Sequence, residues 1–411
     1  MFYSADPRAV PEDKPTTPGA GPRGLLERPS HLFCFAVVML SAVYFVIHAS
    51  MYYSGLDFES RNLGRSDLAD FFAFYSSARL LWEGGAPWEL YDGAILKAFQ
   101  MSLGAGQEGL HPFNYPPTYL LIIWPFGGLT YPVALIVWQL VTLALFVLAL
   151  RTAGLRPFEI LAAVVAPVTI LNFSGGQNGC LTSALLIGGL ALLSRRQAVA
   201  GGLFGLLTVK PHLGLLVPLV CLAERRWLAI ASAATVTGLL IAVTVVLFGA
   251  GIWQAYLDFL VGFQAQVQDQ AAGAFLDYSA TVLMAGQILG VPKALAAGLQ
   301  IAVSLGVALA VWWAWRRPTD GDLRLALLLI GVSLATPFGF LYDLPFMAVA
   351  IVLVARLALR DGFMPYEILC LATVWMMPFF GNLAAARGIP LAALAHLIFF
   401  GFVLMRMRRA A

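Results

Sequence analysis

Lys210 is the residue of this chain whose position most demands a chemical reason. It interrupts an apolar stretch in Gly205-Leu206-Leu207-Thr208-Val209-Lys210-Pro211-His212. A charge at membrane depth costs about 2.5–3.5 kcal/mol even on the lenient insertion scale, so the ammonium needs an anionic partner or water. The proline beside it breaks a helix and frees carbonyls. One reading makes Lys210 a ligand for a lipid phosphate or pyrophosphate, assisted by His212. The other is a lysine that snorkels to the interface.

Asp70 is the second such residue, in Ser66-Asp67-Leu68-Ala69-Asp70-Phe71-Phe72-Ala73-Phe74-Tyr75. The segment 67–82 reads as an amphipathic, aromatic-rich helix lying along a membrane interface. Ser66 or Asp67 suits its N-cap. Asp70, one turn on and flanked by aromatics, would be desolvated, which raises a carboxyl pKa and suits general-base work on a hydroxyl. Asp57, in the same loop, is a weaker candidate.

Five further clusters belong with these two. Arg79, with Glu83, Trp88, Tyr91 and Asp92 after it, offers aromatics that either anchor at the membrane surface or stack on a sugar. His111-Pro112-Phe113-Asn114-Tyr115-Pro116-Pro117 reads as a rigid joint between loop and helix. Gly175-Gly176-Gln177-Asn178-Gly179 allows a tight turn, and its two amides can hydrogen-bond hydroxyls. In Thr336-Pro337-Phe338-Gly339-Phe340-Leu341-Tyr342-Asp343 the acid either caps the following helix or joins a site. The run Gln264, Gln266, Gln268, Asp269, Gln270 reads as a solvated surface or a hold on an acceptor.

The elements that carry these residues are apolar. Hydrophobic residues make up 60% of 411 and charged residues 11%, against roughly 25% charged in soluble domains. A soluble enzyme, a disordered chain and a nucleic-acid binder are thereby excluded, and a net charge of +3 names no polyanionic partner. Runs of about 20 apolar residues recur, so the class is all-α and polytopic rather than a β-barrel. Cys34, Cys180, Cys221 and Cys370 form no CxxC and read as core residues.

Residues 1–30 read as a disordered cytoplasmic tail, and 31–411 as one integral membrane catalytic domain with a first extracytoplasmic loop at 53–115. The run 32–52 reads as an anchor. Arg23, Arg28, Arg151, Arg156, Arg195, Arg196, Arg225, Arg226, Arg316, Arg317, Arg356, Arg360, Arg406, Arg408 and Arg409 fix orientation when all are placed inside. The count is then roughly ten full spans plus several short helices, or 10–13 transmembrane or re-entrant helices. Basic clusters at both ends of 198–222 make that stretch enter and return. The stretch 116–150 splits at Thr130-Tyr131-Pro132, and 278–290 is too short to span. Broken helices of this kind line cavities or lie buried in protein. In this arrangement nearly every oddly placed polar residue faces one side.

In order along the chain, these segments resemble the polyprenyl-phosphate-sugar-dependent glycosyltransferases of glycosyltransferase family 87, which have the GT-C fold. The matching pieces are Asp70-Phe71-Phe72-Ala73-Phe74-Tyr75-Ser76-Ser77-Ala78-Arg79, then Gly84-Gly85 and Tyr91-Asp92. Tyr115-Pro116-Pro117, Gly176-Gln177-Asn178, the run Gly201 to Pro211 and the segment 336–343 follow.

The resemblance implies inverting transfer of a sugar, of the mannose or arabinofuranose class, from a polyprenyl phosphate to a glycolipid or glycan hydroxyl. It makes Asp70 the general base and Lys210 the ligand of the donor phosphate, and it places Gln177 and Asn178 in the sugar pocket. Arg79, Tyr115, His212, Tyr342 and Asp343 join the binding set. Several members carry histidine in the late motif where this chain has Tyr342-Asp343, which bears on how the phosphate is gripped. A donor with one phosphate and no nucleotide demands no metal, and no cofactor is expected. The implied place is a bacterial inner membrane with an extracytoplasmic site, among membrane lipid and without nucleic acid. The competing class is a transporter or flippase of a lipid-linked sugar, which broken helices and an intramembrane lysine also fit. Such a protein should carry charge on both faces of its pathway and often matching halves, and neither is visible here.

Overall fold

The computed structural model describes residues 38–47, 50, 70–105, 110–269 and 278–410, with the backbone alone for 263–269 and 410. The tail 1–30, Asp57, Ser66, Asp67 and Gln270 lie outside the described residues, as do the side chains of Gln264, Gln266, Gln268 and Asp269. The chain divides into two units, Met1–Leu40 and Ser41–Ala411, and the second holds every numbered helix below.

Its helices are α1 (Phe71–Trp82), α2 (Gly93–Ser102), α3 (Tyr131–Thr152), α4 (Pro157–Val164), α5 (Pro167–Ser174), α6 (Gly179–Leu192), α7 (Gln197–Leu206) and α8 (Val217–Ala223). They continue with α9 (Trp227–Phe248), α10 (Gly251–Asp269), α11 (Val282–Ile288), α12 (Lys293–Trp315) and α13 (Gly321–Ala335). The last four are α14 (Pro345–Asp361), α15 (Glu367–Trp375), α16 (Met377–Ala385) and α17 (Leu391–Ala410). Proline stands in the first turn of α3, α4, α5, α8, α14 and α16. Its fixed φ and missing N–H cost nothing there and set where each helix begins.

Among the described residues, α3, α9, α12 and α17 are long and apolar enough to cross a membrane. The pairs α4–α5 and α15–α16, bent by 56° and 77°, qualify as broken spans, and further apolar helices are shorter. The chain is therefore an integral, multi-pass, all-α membrane protein. Among the described residues the full-length spans number four, or six if each bent pair is one span, and much of the remaining apolar length lies in shorter helices. Of the expected run 32–52, the described part includes the apolar helix Val38–Ile47.

The stretch 198–222 enters and returns as expected. α7 runs on through a short 3-10 turn, Leu207–Val209, to Lys210, and a second turn, Pro211–Gly214, leads back into α8. A matching break separates α5 from α6 at 175–178, and another separates α13 from α14 at 336–344. Packing of α7 against α9 explains the glycines before Lys210. A Cβ on Gly201 would stand 2.2 Å from the Ala229 carbonyl oxygen, and one on Gly205 2.8 Å from that of Ala233. Small residues four apart let two backbones approach this closely in apolar surroundings.

Arginine-rich connections hold the other ends of these helices. Arg356 of α14 grips both oxygens of Glu159 in α4, at 2.8 and 2.6 Å, and reaches Asp322 of α13 at 2.9 Å. Arg406 of α17 binds Glu367 of α15 through two nitrogens and donates to the Gly362 carbonyl. Asp320-Gly321-Asp322, an Asp-x-Asp run, lies at this end. Asp320 accepts from the Asp322 N–H, and Asp322 pairs with Arg356.

Candidate functional site

The three breaks converge on one cavity of about 460 Å³, within the range of small-molecule sites. Asp70, His111, Asn114, Tyr115, Gln177, Lys210, His212, Tyr342 and Asp343 supply its polar lining. Tyr256 and Leu260 of α10 close one side, with Pro337, Phe338 and Phe340 nearby.

Asp70 stands at the N-cap of α1 without capping it. The first helical N–H, that of Phe71, goes instead to the Gly175 carbonyl at 3.1 Å. This frees the carboxylate, whose Oδ2 accepts from Gln177 Nε2 at 2.8 Å. Burial is the largest influence on this carboxyl and pushes it above the ordinary range. The Gln177 hydrogen bond and the His111 charge pull it back, Asp343 raises it further, and Lys210 lowers it. Asp70 thus has the elevated basicity that proton removal from a hydroxyl requires.

The helix behind Asp70 is not amphipathic as expected. Residues 71–78 are buried on every side, in an aromatic nest that includes Trp138, Tyr119 and Tyr131. Exposure begins only near Arg79. Arg79 pairs with Glu83 at 2.7 Å, donates to the Gly127 carbonyl and does not line the cavity. Nine residues of helix put it about 13 Å from Asp70 along the axis. Trp88 is exposed, Tyr91 packs on Tyr256 and Phe259, and Asp92 caps α2 through the N–H groups of Ala94 and Ile95.

Lys210 neither snorkels nor waits for a partner. Its Nζ lies 2.5 Å from Asp343 Oδ1, with both side chains nearly inaccessible, and 5.3 Å from the centre of the Tyr115 ring. The carboxylate of Asp343 therefore does not cap α14, whose N-cap is Leu344. The two residues are 133 apart in sequence, which is why spacing alone could not pair them. Burial holds the phenols of Tyr115 and Tyr342 far above their ordinary range, so both stay neutral donors.

The turn at 175–178 is braced from behind. Trp138 Nε1 donates to the Gly176 carbonyl at 2.9 Å, and Gln139 Nε2 to that of Phe173 at 2.6 Å. Gly176 has φ +62°, and a Cβ there would meet Phe71 Cβ at 2.6 Å, so glycine is required. Asn178 does not line the cavity. Its side chain lies beside the Tyr115 and Tyr119 hydroxyls, one layer behind Gln177.

Asn172 ties two of the breaks together. Its Nδ2 donates to the Tyr342 carbonyl at 2.8 Å, and its Oδ1 accepts from the Cys180 N–H at 3.1 Å. A polar residue inside the apolar run 167–174 was the sequence signal for it. Tyr256, on the amphipathic α10, gave a weaker one. Gly179 makes room for this tie, since a Cβ would stand 2.6 Å from both Asn172 Nδ2 and the Tyr342 oxygen. Gly179→Ala should lose about 1–3 kcal/mol of stability through overpacking. A lower thermal midpoint in detergent, with weaker ligand protection, would check it.

A family model, Glycosyltransferase family 87, matches residues 113–337, more than half of the chain. The matched span takes in Tyr115, Gln177, Lys210 and His212 and stops short of Asp70 and Asp343 on either side. Comparisons with curated proteins and with solved structures find no match.

Proposed function

The chain belongs to glycosyltransferase family 87, and from that premise we propose that it moves a sugar from a polyprenyl phosphate to a glycolipid or glycan hydroxyl, with inversion. The observation that carries this reading is the meeting of a basic carboxyl, Asp70, and a buried ammonium, Lys210, in one cavity. The acceptor hydroxyl gives its proton to Asp70 as its oxygen attacks the anomeric carbon. The bond from that carbon to the phosphate oxygen breaks, and Lys210 stabilises the charge that grows on the leaving group. Tyr115, Tyr342, His212 and Gln177 offer hydrogen bonds to phosphate and sugar. Asp343 is paired with Lys210, which among the described residues leaves Asp70 as the cavity carboxylate outside an ion pair and favours single displacement over a covalent glycosyl intermediate.

The proposed site faces the extracytoplasmic side of a bacterial inner membrane. Support comes from the arginine-rich helix ends, because cytoplasmic loops are enriched in Lys and Arg. The sugar class remains that of the resemblance, mannose or arabinofuranose.

Purified protein in lipid nanodiscs, given a panel of radiolabelled polyprenyl-phosphate sugars and membrane lipid extract, tests the reading. Transfer from one donor is expected. Absence of both transfer and donor binding across the panel would overturn the donor assignment.

Gln177→Leu should lower transfer at neutral pH roughly tenfold, the value of a hydrogen bond to a charged group. Gln177 holds the Asp70 carboxyl down, so its loss moves that carboxyl further up. The acid limb of the pH–rate profile should therefore shift to higher pH. An unmoved limb would remove Asp70 from the proton step.

A further inference from the structure

Among the described residues, the cavity holds two carboxylates and one lysine, and the lysine is already paired. Asp343 cannot itself bind a phosphate, because like charges repel. It touches Lys210, and Asn172, through the Tyr342 carbonyl, fixes the segment that carries it. Among the described residues, the other polar groups facing the cavity are Asp70, His111, Asn114, Tyr115, Gln177, His212 and Tyr342.

We propose that Asp343 is a positioning residue that competes with the lipid phosphate for Lys210 and so drives release of the product. This rests on the proposed donor. That donor is a phosphodiester with one negative charge. Transfer breaks its sugar–oxygen bond, leaves the bonding pair on the phosphate oxygen and sends the acceptor proton to Asp70. The product is a phosphate monoester with one more negative charge than the donor. Once Asp70 returns its proton to water, that dianion faces two carboxylates and one shared ammonium. The resident Asp343 can then reclaim Lys210, and the spent lipid leaves. A neutral or cationic side chain at position 343 would lack this expulsion and would hold the product.

The test compares a short-chain prenyl phosphate with the uncharged prenol as inhibitors and ligands of wild type, Asp343→Asn, and Lys210→Ala/Asp343→Asn. The phosphate-to-prenol affinity ratio is internal to each protein and does not depend on the folded fraction. It should rise at least tenfold in Asp343→Asn and collapse in the double variant. Product inhibition of transfer should strengthen in Asp343→Asn, with the donor tightening less than the product. An unchanged or lower ratio in Asp343→Asn, with wild type still preferring phosphate through Lys210, would overturn this inference alone. A phosphate preference absent from both wild type and Asp343→Asn would take the lipid-phosphate donor with it.

Discussion

Asp70→Asn should abolish measurable transfer, with a fall in rate of roughly 10²- to 10⁴-fold, the usual contribution of a positioned general base. The change is nearly isosteric. Asp70 caps nothing, so α1 should not fray, and the first N–H of the helix keeps its bond to Gly175. The amide can still accept from Gln177, so the turn at 175–178 stays in place. Donor should bind Asp70→Asn at least as well as wild type, because one negative charge has left a cavity that, on the proposed reading, receives a phosphate. Single-turnover transfer with bound donor, measured from mildly acidic to alkaline pH, separates these effects. The variant should also lose the acid limb that wild type shows as Asp70 takes up its proton. Activity within tenfold of wild type would mean that another group removes the proton.

Lys210→Ala carries the second large effect, and it has two parts. Loss of a fixed cation at the leaving group should cost roughly 10²- to 10³-fold in rate. Removal of one partner of a buried ion pair should also cost about 3–5 kcal/mol of stability, because Asp343 is left as an uncompensated buried charge. The second part can be cancelled. In Lys210→Ala/Asp343→Asn no buried charge is left over, so the thermal midpoint should recover toward wild type while transfer stays low. Recovery of both would make Lys210 a structural residue only.

The contrast between these two residues shows what the sequence made readable. The breaks in the fold were visible as local interruptions: Lys210-Pro211 in an apolar run, glycines at 175–179, and Thr336-Pro337 before an acid. Each is a short-range signal, and each proved to be an apex at the cavity. Pairings across the fold were not visible. Nothing local says that Lys210 meets Asp343, or that Asn172 holds the Tyr342 carbonyl. Arg79 misled for the opposite reason. It is close to Asp70 along the chain, but the rise of α1 carries it to the far end of that helix. The glycines at 201 and 205 were read as part of a family pattern, and their physical work is to seat α7 against α9. The burial of α1 on all sides was likewise hidden, because its partners come from α3 and the segment 113–126.

α14 is fastened by charge at both ends. Asp343, just before its first residue, holds Lys210, and Arg356, four turns on, holds Glu159 and Asp322. Ser183 adds a hydrogen bond to the Phe346 N–H near the start. Such a helix cannot slide like a piston, since any axial step would break ion pairs at both ends together. The thirteen-residue step from Asp343 to Arg356 therefore acts as a ruler of about 20 Å. With a hydrocarbon core about 30 Å thick, the lysine sits roughly 10 Å short of the headgroups on its own side if the arginine end marks the other boundary. On the proposed reading, a lipid phosphate would have to come down that distance or the bilayer thin to meet it, so turnover should depend on membrane thickness.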